Sequence, residues 1–256
     1  MKRDQSSSAR AGCGFRTTQW SVVLLAAQSQ TAGFKEALAE LCNLYWYPLY
    51  AFVRQRGYSP EDAQDLTQGF FAHLLEHKAL TRVDRQKGRF RSFLLAALQK
   101  YLSNEAGRTG CLKRGGKAEI VSLDLYSAED RYRLEPVEAL TPEKVFDARW
   151  AMALLAEAMD RLNREYIDQG KTDAFEVLKA FLDPLNSKKL EPYEQVAGQL
   201  KVSVAAVKTL IHRLRKQYTA LVREEISRTV SDAGDVDAET HELCEALIAA
   251  EGWVMP

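Results

Sequence analysis

Cysteine is scarce in this sequence. Four residues in 256 (Cys13, Cys42, Cys111 and Cys244) are scattered without paired spacing. A disulfide framework is therefore not expected, and a reduced, cytoplasmic chain is the simplest reading. Long apolar runs are missing too. Those that occur, such as Val22 to Ala27, fall far short of the roughly 20 residues that span a bilayer. The polar, Ser-rich start has no apolar core behind it, so neither a membrane partner nor a signal peptide is expected. Net charge is absent: 35 Lys+Arg balance 35 Asp+Glu, which excludes a uniformly basic nucleic-acid coat. Strand alternation is nearly absent, Ala118–Leu125 being the nearest and a short candidate. There is no P-loop, no G-x-S-x-G and no recognisable acid/base pair of carboxylates. His241 and Cys244 offer two potential metal ligands with no second pair nearby, whereas zinc usually takes four. No catalysis, no cofactor and no metal are expected.

The charge that is present is segregated. Arg82 to Lys117 holds ten bases and two acids, and Ala118 to Asp147 holds eight acids and three bases. Lys201 to Tyr218 has five bases and no acid, and Arg228 to Pro256 has seven acids and one base. Two basic blocks, each followed by an acidic one, suggest two surfaces for a polyanion and acidic segments able to shield them; solvated faces are the plainer alternative.

The length suits two compact helical domains. Residues 1–14 read as a disordered lead. Helices are predicted over Thr18–Gln28 and Phe34–Arg56. Ser59-Pro60-Glu61-Asp62 is a strong helix start, running to about His77. Phe90, Phe93, Leu94, Ala97, Leu98 and Tyr101 form one apolar stripe of a third helix. The stretch from Gly107 to Thr141 has no sustained period and reads as a linker. Thr141-Pro142-Glu143 opens another helix, carrying Phe146, Trp150, Leu154, Ala158 and Leu162, and Asp173–Leu182 is a further one. The expected architecture is all-α: a first domain over 15–110, an acidic linker over 111–140, a second domain over 141–228 and an acidic C-terminal extension over 229–256.

The clearest motif lies near the end. Tyr193, Val196, Ala197 and Leu200 mark a short helix. Lys201-Val202-Ser203 makes a tight turn, with Ser203 placed to cap the next helix. Val207, Leu210, Ile211, Leu214, Tyr218 and Leu221 give that second helix its buried stripe. Opposite lie Ala205, Thr209, His212 and Lys216, flanked by Lys208 and Arg213. Two helices joined by a short turn, the second basic on its exposed face, make a helix-turn-helix for DNA; an ordinary helical hairpin is the alternative.

Together with the N-terminal half, this motif resembles the bacterial extracytoplasmic-function sigma factors. Tyr58-Ser59-Pro60-Glu61-Asp62-Ala63-Gln64-Asp65-Leu66-Thr67-Gln68-Gly69-Phe70-Phe71 is similar to that family's polymerase-binding helix. Pro192-Tyr193-Glu194-Gln195-Val196-Ala197 through His212-Arg213-Leu214-Arg215 is similar to its promoter-reading helix-turn-helix. Phe15-Arg16-Thr17-Thr18-Gln19-Trp20 resembles the start of one branch.

The resemblance implies a non-enzymatic factor that binds core RNA polymerase and promoter DNA. Asp62, Gln64, Asp65, Leu66, Gln68 and Phe71 would meet polymerase. Arg85, Lys87, Arg89, Arg91, Lys100, Asn104 and Arg108 would meet the −10 element, with Phe90, Phe93 or Tyr101 able to stack on an unpaired base if exposed. Ser203, Ala205, Lys208, Thr209, His212, Arg213 and Lys216 would read the −35 element. Departures matter. Gln64 and Gly69 stand where the family often has acids, and Thr67 where a hydrophobic residue is common. Phosphorylation of Thr67 by a Ser/Thr protein kinase would restore negative charge; an anti-sigma factor is another controlling partner. Gln195 replaces a usual Glu, and Lys201 replaces the turn glycine, a strained choice that predicts a different turn. The acidic tail could fold onto the helix-turn-helix and inhibit it; a solvated tail with some helix is the alternative. The rivals are a stand-alone helix-turn-helix regulator that binds duplex DNA without polymerase, and a helical adaptor that binds no DNA.

Overall fold

The computed structural model describes residues 34–76, 89–109, 128–129, 132, 140–182, 190–230 and 232–250. Among these, every regular element is helical and none is a strand. The lead, the expected helix over Thr18–Gln28, the Phe15–Trp20 motif, Arg85, Lys87 and most of the expected linker lie outside the described residues.

The helices begin where local chemistry starts them. α1 spans Phe34–Gln55, and α2 spans Pro60–Glu76. At the start of α2, the Asp62 amide donates to Ser59 Oγ at 3.1 Å and that hydroxyl donates to Asp62 Oδ2 at 2.9 Å. A capping side chain and a proline at the first helical position satisfy donors that have no partner inside the helix. α3 covers Phe90–Thr109. α4, Pro142–Asp168, repeats the device: the Lys144 amide donates to Thr141 Oγ1 at 3.4 Å. Its far end closes at Gly170 with φ of 67°. There the Lys171 amide reaches Tyr166 O at 2.8 Å and the Gly170 amide reaches Ile167 O at 2.9 Å. That left-handed stop favours glycine. α5 (Thr172–Leu178) runs into a 3-10 turn, Lys179–Leu182. α6 spans Tyr193–Leu200, α7 Val204–Ser227 and α8 Val236–Ala249.

α4 is the spine. At 27 residues it is about 40 Å long, and its two halves serve different cores. Val145, Phe146, Ala148, Trp150, Ala151 and Leu154 join α1, α2 and α3 around Tyr45, Leu49, Phe52, Phe70, Phe90 and Leu98. Ala158 and Leu162 join α5, α6 and α7 around Phe175, Val196, Val207 and Leu214. The boundary expected at residue 141 therefore does not divide the cores. The apolar stripe of α4 is long enough to serve both, and its N-terminal half completes the first one.

The tail also differs from expectation. Val230, Val236, Leu243 and Ala250 are buried in the first core, and α8 packs on α4 and α7. It leaves the basic face of α7 uncovered. The expected fold onto that face is corrected: apolar burial, not charge alone, sets where this acidic helix goes.

From the linker region, Glu129 docks on α1. It accepts from Tyr50 Oη at 2.5 Å and from Arg54 Nε at 3.1 Å and Nη2 at 3.0 Å. The Arg54 guanidinium lies 4.8 Å from the centre of the Tyr132 ring. Burial, then the bond to Glu129, push the Tyr50 hydroxyl well above its ordinary range.

Candidate functional site

The α6–turn–α7 segment is built from its turn outward. Lys201 has φ of 54°, the only left-handed non-glycine among the described residues. The Val202 amide reaches Ala197 O at 3.0 Å and the Lys201 amide reaches Gly198 O at 3.3 Å. The lysine thus occupies the glycine position of an ordinary helix stop, and the expectation of a different turn is corrected. A side chain there costs about 1 kcal/mol. Lys201→Gly should raise the melting temperature by about 2–4 °C, read by calorimetry.

Ser203 then caps α7, its Oγ accepting the Ala206 amide at 3.2 Å. Val207, Ile211, Leu214 and Leu221 turn inward; Leu210 and Tyr218 are half-buried. The Tyr218 hydroxyl donates to Leu155 O at 3.1 Å, and burial raises its pKa to about 12. Arg215 is occupied with positioning. Its Nε and Nη2 both donate to Phe181 O at 3.0 Å, tying α7 to the 3-10 turn. On the other side, Ala205, Lys208, Thr209, His212, Arg213 and Lys216 are all exposed, as is Ser203. Tyr193 stacks on Phe181 with ring centres 5.8 Å apart, and Lys208 Nζ sits 5.6 Å over the Tyr193 ring. All seven residues expected for the −35 element share one open surface with no acid on it from 201 to 218.

The α2 surface is smaller than expected. Asp62 and Asp65 are exposed, and Gln64, Leu66 and Gln68 half-buried. Phe71 is buried in the core beside Phe70. Thr67 has no exposed surface, and its hydroxyl donates to Ala63 O at 2.7 Å. Ala63, Thr67, Phe70 and Leu74 are four, three and four residues apart, the inward stripe of α2. Two expectations are thereby corrected: Phe71 does not face a partner, and a kinase does not reach Thr67 in this conformation. Gly69 also has a structural reason. A β-carbon there would overlap the Tyr101 hydroxyl, so the acid common in the resembled family does not fit. Gly69→Ala should cost about 1–3 kcal/mol by overpacking, and Tyr101→Phe in the same chain should recover most of it in denaturant melts.

On α3 the inward residues are Phe90, Leu94, Leu98 and Leu102. Phe90 is sealed edge-to-face against Tyr45, ring centres 5.4 Å apart, and cannot stack on a base. Tyr101 packs against Phe70 and His73. Lys100 and Asn104 are exposed, and Arg108 falls in the last turn of α3.

Arg89 and Arg91 are committed elsewhere. Arg91 is 7% exposed. Its Nε donates to Glu239 Oε1 at 2.8 Å, its Nη2 to Glu242 Oε2 at 2.8 Å, and its Nη1 to Asp147. Its guanidinium also lies 5.4 Å from the centre of the Trp150 ring. Arg89 Nε pairs with Glu239 Oε2 at 2.7 Å and its Nη1 with Glu242. The expectation that Arg91 lies open to DNA is corrected, since α8 covers it. Burial works against the Arg91 charge, but the bond to Glu239 and the field of Asp147 outweigh it and hold the guanidinium above its usual pKa. Burial wins at Asp147, whose carboxyl is raised despite Arg91. The hydrogen bond from Arg89 keeps Glu242 below the ordinary carboxylate value.

The raised folded pKa of Asp147 means that its ionised carboxylate opposes folding above that pKa, and the penalty vanishes below the ordinary value of 3.8. Asp147→Asn should therefore melt higher than the parent at pH 7, with the gain shrinking as the pH falls toward 3.8.

Sequence reasoning missed this five-residue cluster, whose only signal was the opposite charge of the two segments. Among the described residues there is no group of three or more His, Cys, Asp or Glu able to hold a metal ion, and no helix long and apolar enough to cross a membrane. No protein-family model, curated protein or solved structure matches the chain.

Proposed function

We propose that this chain is a promoter-specificity subunit of bacterial RNA polymerase, of the extracytoplasmic-function kind. The observation that carries the reading is the exposed face of α7: Ala205, Lys208, Thr209, His212, Arg213 and Lys216 in one patch behind a Ser203-capped turn. Residues early in such a helix reach base edges, while Lys208, Arg213 and Lys216 hold phosphates. α2 supports the polymerase half of the reading with the exposed carboxylates of Asp62 and Asp65, which would meet a basic surface. Lys100 and Asn104 on α3 are the residues left open for the upstream −10 element.

Gel filtration with core RNA polymerase tests the docking surface. The chain should co-elute with core, and Asp62→Lys with Asp65→Lys should abolish co-elution while leaving the melting temperature within a few degrees. Co-elution unaffected by the double change would move the docking site away from α2.

One observation favours a second reading. Phe71, Thr67 and Arg91 are enclosed while the α7 face is fully open. A stand-alone regulator needs only that open face, binding duplex DNA as a dimer across half-sites about one helical turn apart.

A further inference from the structure

We propose that α8 is an intramolecular stand-in for nucleic-acid backbone: its Glu239 and Glu242 carboxylates occupy a phosphate site formed by Arg89 and Arg91, and the tail must leave before that site is used. The two arginines flank the start of α3, where the helix dipole favours an anion, and α3 has no acid of its own in its first turn. The anions come instead from α8, some 150 residues away in sequence: Glu239 Oε1 at 2.8 Å from Arg91 Nε, Glu239 Oε2 at 2.7 Å from Arg89 Nε, and Glu242 Oε2 at 2.8 Å from Arg91 Nη2. Glu239 and Glu242 lie three residues apart on one helix face, so two carboxylates converge on the same pair of guanidiniums, which bind phosphate oxygens by the same charge-assisted bonds.

α8 also buries Val236 and Leu243 in the first core, so its release costs apolar contact, and three features lower that cost. Asp147 brings a third carboxylate to Arg91, so that guanidinium keeps a partner when the tail departs. Half of the contact is wet: the Arg89 side chain is 25% exposed and that of Glu242 46%. And α8 has only 14 residues, close to the length at which an isolated helix is marginal. Its place therefore depends on the body it rests on. A nucleic acid that engages Arg89 and Arg91 competes directly with the tail.

The inference rests on reading α3 as a nucleic-acid-facing helix, but its test involves no polymerase. Failure of polymerase binding therefore leaves the test intact. The full chain carrying Lys208→Ala, Arg213→Ala and Lys216→Ala, which removes the α7 face, is titrated with a fluorescein-labelled single-stranded 20-nucleotide DNA. Adding Glu239→Gln and Glu242→Gln should tighten binding about tenfold. It should also steepen the slope of log affinity against log salt by about 1.4, or about 0.7 for each of two phosphates. Arg89→Gln in that same chain should remove most of the gain. Glu242→Gln alone, on the exposed side, gives a smaller gain and guards against loss of fold in the double change. Hydrogen exchange on the unsubstituted chain is the independent readout, with amides of 236–249 exchanging faster when the DNA is saturating. Unchanged affinity in cooperatively melting variants, a gain that survives Arg89→Gln, or equal protection of α8 with and without DNA would each overturn the proposal.

Discussion

Arg91→Ala should lower the melting temperature by about 10 °C. Glu239 has no exposed surface, and the substitution removes two of its three nearest donors, Arg91 Nε at 2.8 Å and Nη2 at 3.3 Å. Breaking a buried ion pair by deleting one partner typically costs about 3–5 kcal/mol, because the remaining charge stays desolvated. At this chain length each kcal/mol corresponds to about 2–4 °C. The side chain also covers Trp150, so packing is lost with the charge. Arg91→Met combined with Glu239→Leu removes both charges and keeps the volume, and most of the lost stability should return. If Arg91→Ala melts within about 2 °C of the parent, less than the loss of a single kcal/mol would give, α8 is not held by this cluster.

The α7 face carries the second large effect. Lys208→Ala, Arg213→Ala and Lys216→Ala together should weaken binding to duplex DNA about a hundredfold, taking about 1 kcal/mol for each lost contact. The salt dependence separates this from a general loss of fold. Three phosphate contacts account for about 2.7 of the log–log slope, at about 0.9 each, and the slope should fall by that amount. All three residues are exposed and none holds the core, so the melting temperature should stay within a degree or two. Fluorescence anisotropy at several salt concentrations reads both quantities. A slope that does not change would put the DNA contact somewhere other than α7.

The parts of the fold that were legible in the sequence are those decided within one or two helical turns. Ser59, Thr141 and Ser203 each stand just before a helix and accept an amide three residues on. The stripes of α3, α4 and α7 were legible for the same reason, since a period of 3.6 residues is a local signal. The exposed candidate residues on α7 were legible with them, because they are the residues left outside once the stripe is turned inward.

The parts that were not legible depend on distant partners. Trp150 sits in a helix whose stripe reads the same whichever core receives it, so the sequence could not say that α4 begins in the first core and ends in the second. The pairing of Arg91 with Glu239 bridges 148 residues, and nothing at either end names the other. Thr67 misled for a third reason. A small hydroxyl residue can lie on the inward stripe when a carbonyl four residues back accepts its proton, as Ala63 O does here, and hydropathy alone does not reveal that bond.

Run-off transcription separates a promoter-specificity subunit from a stand-alone regulator. Core RNA polymerase is combined with and without the purified chain on a pool of genomic promoters from the host. The proposed function predicts transcripts that begin at discrete sites only when the chain is present. It also predicts that they are lost when Lys208, Arg213 and Lys216 are replaced by alanine. Silence in every lane, with the chain shifting promoter duplexes on its own, would contradict it and establish the stand-alone regulator instead.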